Sequence, residues 1–200
     1  SLSQVDNGPT HLFVHSKYNV PLVKSWDISL MNKGSISAPV FSNQHVFILD
    51  SRANLYSFGL DGKKEWVLDL APSLEKNQKT HHSGGIVLNK ENLFVATGFG
   101  EIFSINLDGS INWKKRFDAP FRGAPIFSNN KIFVINANDL AIAINKKGET
   151  IWTLQGPTRP TLLSKGISPA LKSNKLLLPF SAGQLTAVRP NNGAELWTAA

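Results

Sequence analysis

The sequence contains no cysteine. That absence excludes a disulfide framework, thiolate catalysis and cysteine-ligated zinc. Long apolar runs are missing too, and none approaches the roughly 18 residues that a membrane-crossing helix needs. Ser1–Thr10 is polar, with neither a basic start nor an apolar stretch, and does not read as a secretory signal. Acidic residues are few: 14 Asp and Glu stand against 21 Lys and Arg, for a net charge of +7. The basic residues are spread as Lys63-Lys64, Lys114-Lys115-Arg116, Lys146-Lys147 and Lys172, each at an expected turn or strand end. Solvated strand edges are the plain reading; a docking surface for an acidic or lipid partner is the alternative. No basic stretch interleaves with aromatics as a single-strand track does, so nucleic acid is not an expected partner. With 42% apolar and 18% charged residues, the 200-residue chain is long enough for a sizeable core in one or two domains and is not intrinsically disordered.

The positive signal is a repeat. Five tryptophans, Trp26, Trp66, Trp113, Trp152 and Trp197, stand at separations of 40, 47, 39 and 45 residues. Four of them follow a glycine by four positions: Gly62, Gly109, Gly148 and Gly193. Each unit opens on a short dipeptide, Ala38-Pro39, Gly84-Gly85, Ala124-Pro125 or Ser168-Pro169. A dense apolar run follows, as in Val46–Leu49, Leu93–Ala96, Ile132–Ile135 and Leu176–Leu178, with the bias of a strand buried on both faces. After a small or polar turn, a third strand is predicted over Leu55–Leu60, Ile102–Leu107, Leu140–Asn145 and Leu185–Arg189. A tight turn through Asp61-Gly62, Asp108-Gly109, Lys147-Gly148 or Asn192-Gly193 then leads into a fourth strand carrying the tryptophan. Asp-Gly and Asn-Gly supply the positive φ that such hairpins require.

Four short antiparallel strands in about 43 residues, with no helical pattern, describe a β-propeller blade. The predicted fold is therefore all-β, with blades over approximately 34–70, 84–117, 122–156 and 166–200. Before them, segment 1–33 carries Trp26 on the outer strand of a preceding blade. One blade cannot bury both faces of its own sheet. Trp26, Trp66, Trp113, Trp152 and Trp197, with the paired glycines, are accordingly read as docking residues, each indole lying on the next blade with its N–H on a backbone carbonyl. The chain ends do not complement each other, so a partial propeller with an apolar face at each end is expected, and with it self-association. Segment Ala71–Ser83 reads as a surface loop between blades. Its His81-His82 pair lacks a third ligand, so no metal, cofactor or catalytic residue is expected.

The D/N-G-x-x-x-W unit resembles the pyrroloquinoline-quinone-type (PQQ-type) propeller repeat. Within that superfamily the chain is similar to the BamB family of outer-membrane assembly lipoproteins of Gram-negative bacteria. The likeness is strongest over Gly84–Asn106, Ala119–Asn136 and Ser168–Trp197, and it corresponds to the N-terminal half of an eight-bladed member. It implies a non-enzymatic scaffold on the periplasmic side of the outer membrane, tethered by a lipidated cysteine upstream of this chain. It implies binding to the periplasmic domains of the barrel-assembly protein BamA, and contact with unfolded outer-membrane proteins. Ala119-Pro120-Phe121-Arg122-Gly123 matches the family's apolar-x-apolar-Arg-Gly contact loop, which makes Phe121, Arg122 and Gly123 the implied partner-binding residues. Two readings of that loop stay open: a displayed hot spot, or an arginine capping strand-end carbonyls beside a phenylalanine filling a gap between blades. A second family contact is acidic, and Leu163–Pro169 here has no acid and carries Lys165. Two other functions compete, a quinoprotein dehydrogenase and a generic interaction propeller. The first needs a calcium-bound quinone on the propeller axis, and Asp50, Asp61, Glu101, Asp108, Asp118 and Asp139 are not evidently paired for that chemistry.

Overall fold

The computed structural model describes Asp27 and residues 36–75, 84–157 and 168–199. Segment 1–33, with Trp26, lies outside the described residues but for Asp27, as does His81-His82. Among the described residues sixteen strands form four antiparallel sheets, each a simple up-and-down meander. The first blade consists of β1 (Val40–Phe41), β2 (His45–Leu49), β3 (Asn54–Gly59) and β4 (Lys64–Asp69). The second holds β5 (Gly85–Leu88), β6 (Asn92–Ala96), β7 (Glu101–Asn106) and β8 (Ile111–Arg116). The third holds β9 (Ile126–Ser128), β10 (Lys131–Ile135), β11 (Leu140–Asn145) and β12 (Thr150–Gln155). The fourth holds β13 (Ala170–Lys172), β14 (Lys175–Pro179), β15 (Leu185–Val188) and β16 (Glu195–Ala199). The third strands lie within a residue of the predicted stretches.

Turn chemistry explains the meander. In the outer hairpins the N–H of Gly62, Gly109, Gly148 and Gly193 donates to the carbonyl of Gly59, Asn106, Asn145 and Arg189. All four glycines have φ between 71° and 92°, a conformation that costs a β-carbon. In the central turns a side-chain oxygen substitutes for a backbone one. Asp50 Oδ1 accepts from the N–H of Arg52 and Asn54, Thr97 Oγ1 from Phe99 and Glu101, and Asn136 Oδ1 from Asn138 and Leu140. The first and third turns of every blade lie at one end of the sheets, called here the turn end. The central turns and the blade-to-blade links lie at the other, the link end.

Antiparallel register lines up one row per blade on the face toward the next: Phe47–Ser57–Trp66, Phe94–Ser104–Trp113, Phe133–Ala143–Trp152 and Leu177–Ala187–Trp197. The small central residue leaves room for the indole to lean back on the aromatic ring, with centroids 5.9, 6.2 and 6.0 Å apart in the first three blades. One residue before each tryptophan the β3–β4 type of pairing slips, leaving Glu65, Asn112, Ile151 and Leu196 as bulge residues. Three core clusters sit between blades, and a fourth, of Val46, Ile48, Tyr56 and Phe58, lines the other face of the first blade. Phe47, Leu49 and Leu55 of the first blade pack with Ile86, Leu93 and Val95 of the second. Phe94 and Ile102 meet Ile132 and Val134 across the next seam, and Phe133 and Ile135 meet Leu176 and Leu178 across the third.

Candidate functional site

At each seam the tryptophan of one blade lies on the outer-hairpin glycine of the following blade. A β-carbon on Gly109 would stand 3.2 Å from the Trp66 ring, one on Gly148 3.0 Å from Trp113, and one on Gly193 2.8 Å from Trp152. The indole N–H of Trp66 donates to Leu107 O at 3.1 Å, that of Trp113 to Lys146 O at 2.7 Å, and that of Trp152 to Pro190 O at 2.9 Å. The glycine thus serves twice, as the positive-φ turn residue and as the bare floor under a neighbouring ring. The repeated G-x-x-x-W spacing carries that signal, but the residues that touch belong to different repeats. Gly62 has the same backbone geometry, with φ of 81°. Trp197 is 41% exposed, and no blade follows it among the described residues.

The hairpin floor of the first seam depends on Asp108. Its carboxylate accepts from the Ser110 hydroxyl at 2.6 Å and the Ser110 N–H at 2.9 Å, and these bonds hold its pKa below the ordinary carboxylate value. A carboxylate whose pKa is lower folded than unfolded stabilises above the unfolded value, and that contribution disappears as pH falls through the folded value. Wild type is therefore expected to melt higher than Asp108→Asn at neutral pH, with the gap closing on acidification. Parallel melting curves across that range contradict the assignment.

The link between the second and third blades holds the predicted contact residues. Phe121 is not displayed. Its side chain is 0% exposed, edge-on to Phe117 with centroids 5.6 Å apart, inside the cluster that joins Phe94 to Ile132. Its N–H donates to Thr97 O at 3.1 Å, which ties the link to the preceding blade. Of the two open readings, the ring follows the gap-filling one, because two packed sheets leave an aromatic-sized space that a loop must close. Arg122 is half-buried and its Nη2 donates to Ala137 O at 3.3 Å, a strand-end carbonyl. Its Nε and Nη1 are buried and meet no acceptor among the described residues. Gly123 is buried at a bend beside it.

Next to this link is an open cleft of about 290 Å³ lined by Glu75, Phe99, Arg116, Asp118 and Pro120. Arg116 bridges Glu75 at 3.0 Å and the buried Glu101 at 3.8 Å, and Lys114 reaches Glu101 at 3.9 Å. One seam further on, Asp139 accepts from the Ser181 N–H at 3.1 Å and from the Ser181 hydroxyl, which clamps the third blade to the fourth. Sequence reasoning placed Glu101 and Asp139 at turns and strand ends and missed their burial: Glu101 is met by Lys114 and Arg116 of the paired strand β8, and Asp139 by Ser181 of the neighbouring blade. Among the described residues no three His, Asp or Glu side chains gather as a metal site.

Stacked four-stranded meanders, joined by indole-on-glycine seams, define a β-propeller of PQQ-type repeats. Residues 61–200 match the family model described as outer membrane protein assembly factor BamB, and the chain belongs to that family. Two curated relatives are uncharacterized proteins of Rickettsia conorii, 23% identical over 185 residues, and Rickettsia prowazekii, 25% identical over 199. The chain spans about half the length of these relatives, 44% and 47%. The crystal structure of BamB from Moraxella catarrhalis superposes with a TM-score of 0.64 at 17% identity, over 86% of this chain and 49% of that one. Quinohemoprotein alcohol dehydrogenase from Comamonas testosteroni superposes with 0.66 at 14% identity, over 83% of this chain and 35% of that one. These structural likenesses concern the fold.

Proposed function

We propose that this chain is part of a non-enzymatic scaffold that works on the periplasmic side of a Gram-negative outer membrane, binds a BamA-type barrel-assembly protein and assists barrel insertion. The observation that carries the reading is the BamB family match over residues 61–200. The link end supplies the docking chemistry. Arg122 is half-buried at this end and holds Nη2 on Ala137 O, and its fixed positive charge is what draws a partner carboxylate to the loop. Phe121 contributes from beneath by fixing the loop. The test is association of the chain with the purified periplasmic domains of a BamA-type protein. Binding at micromolar concentration is expected, with Arg122→Glu weakening it about tenfold or more at a temperature where circular dichroism shows the variant folded. No association at that concentration overturns the reading, and unaltered affinity in the variant assigns Arg122 to capping alone.

The likeness to quinohemoprotein dehydrogenases gives the second reading, a quinone-dependent oxidoreductase. A stoichiometric, calcium-dependent quinone spectrum in the full-length protein would establish it in place of the scaffold.

A further inference from the structure

The turn end of the third and fourth blades gathers cations that are far apart in sequence. Lys131, Lys146 and Lys147 come from the third blade, and Lys172, Lys175 and Arg189 from the fourth. Glu149 and Glu195 are the acids at the same end of these two blades. Both acids are engaged locally, Glu149 with the Asn145 amide and Glu195 with the Thr198 hydroxyl. None of the six cations forms an ion pair among the described residues, and all but Lys131 are exposed. Lys172 and Lys175 form a directly opposed cross-strand pair around the left-handed Ser173-Asn174 turn, and Lys146 and Lys147 are adjacent in another. Like charges held opposite each other repel, so the hairpin is more stable once an anion lies across it. Exposed aliphatic residues occur close to these turns along the chain: Leu171 next to Lys172, Ile151 just past the Lys146-Lys147 turn, and Leu196 just past the turn after Arg189.

From this arrangement we propose that the turn end of the third and fourth blades docks on an anionic phospholipid surface. Clustered lysines and arginines next to exposed aliphatic groups match a plane of phosphates with hydrocarbon behind it. Nucleic acid is a poorer fit, because no row of aromatics accompanies the cations. The link end, which carries Arg122, lies at the opposite end of the sheets and stays uncovered when the turn end meets lipid. The inference stands independently of the proposed scaffold role.

The test is co-flotation of the chain with phosphatidylglycerol-containing vesicles and with pure phosphatidylcholine vesicles. Binding to the first, absent from the second and lost at high salt, is expected. The variant Lys146→Gln/Lys147→Gln/Lys172→Gln/Lys175→Gln is expected to lower the partition coefficient about tenfold or more at an unchanged melting temperature, whereas Lys63→Gln/Lys64→Gln on the first blade changes it little. Equal partition on the two vesicle types, or a quadruple variant that binds as wild type does, overturns the proposal. So does tighter binding to poly-glutamate or to an oligonucleotide than to vesicles, which assigns the patch to an acidic macromolecule.

Discussion

Trp152→Ala is expected to lower the unfolding free energy by about 3–5 kcal/mol, the cost of emptying a large buried aromatic site. Trp152 is 9% exposed, its ring sits on Gly193 and leans on Phe133, and its N–H holds Pro190 O at 2.9 Å. Loss of the ring leaves a void between two blades that rigid sheets cannot close. Trp152→Phe keeps part of the packing and forfeits the hydrogen bond, for about 1 kcal/mol of the total. Trp197 provides the control within the same molecule. It occupies the equivalent position in its blade but is 41% exposed, so Trp197→Ala is expected to change stability by about 1 kcal/mol or less. Denaturant titration of the three variants checks the ordering. Equal midpoints for Trp152→Ala and wild type refute the seam as a source of stability.

Gly85→Val is the second large effect, an expected loss of about 3 kcal/mol from overpacking. Gly85 opens β5, and a β-carbon there would stand 2.5 Å from both Cα and Cβ of Ala124 in the following blade. The obstacle is backbone, so no rotamer change relieves it. Ala124→Gly is therefore expected not to rescue the variant, since the Ala124 Cα itself remains at the contact. At Gly84, φ is 63° and a β-carbon would fall 1.9 Å from Ala96 O, which leaves the second blade no alternative to a Gly-Gly opening. Ala38-Pro39, Ala124-Pro125 and Ser168-Pro169 open the other blades with side chains. A wild-type denaturation midpoint for Gly85→Val contradicts the close approach of these blades.

The strand order, the turns and the blade period were legible because each is local: an apolar run of three or four, an Asp-Gly, a glycine four residues before a tryptophan. Phe121 shows where that stops. Its sequence neighbours, Pro120 and Arg122, suggest a displayed tip, whereas its surroundings are Phe117 of its own link, Phe94 and Ala96 of the blade before and Ile132 of the blade after. Burial there is decided by the neighbouring sheets, which no window around residue 121 contains. The same holds for Lys146, Lys147, Lys172 and Lys175. Along the chain they are scattered pairs at turns, and only the meander topology brings their tips to one end. Arg122 makes the carbonyl contact of the capping reading, and its other two nitrogens lie buried.

The slip in register one residue before each tryptophan has a consequence for how molecules meet. Glu65, Asn112, Ile151 and Leu196 interrupt β4, β8, β12 and β16 at matching heights, and these are the outermost strands of their sheets. A foreign strand laid along any of them finds its hydrogen-bonding partners out of step after two or three residues. The bulges thus disfavour sideways growth into a shared sheet along the outer strands of the four blades.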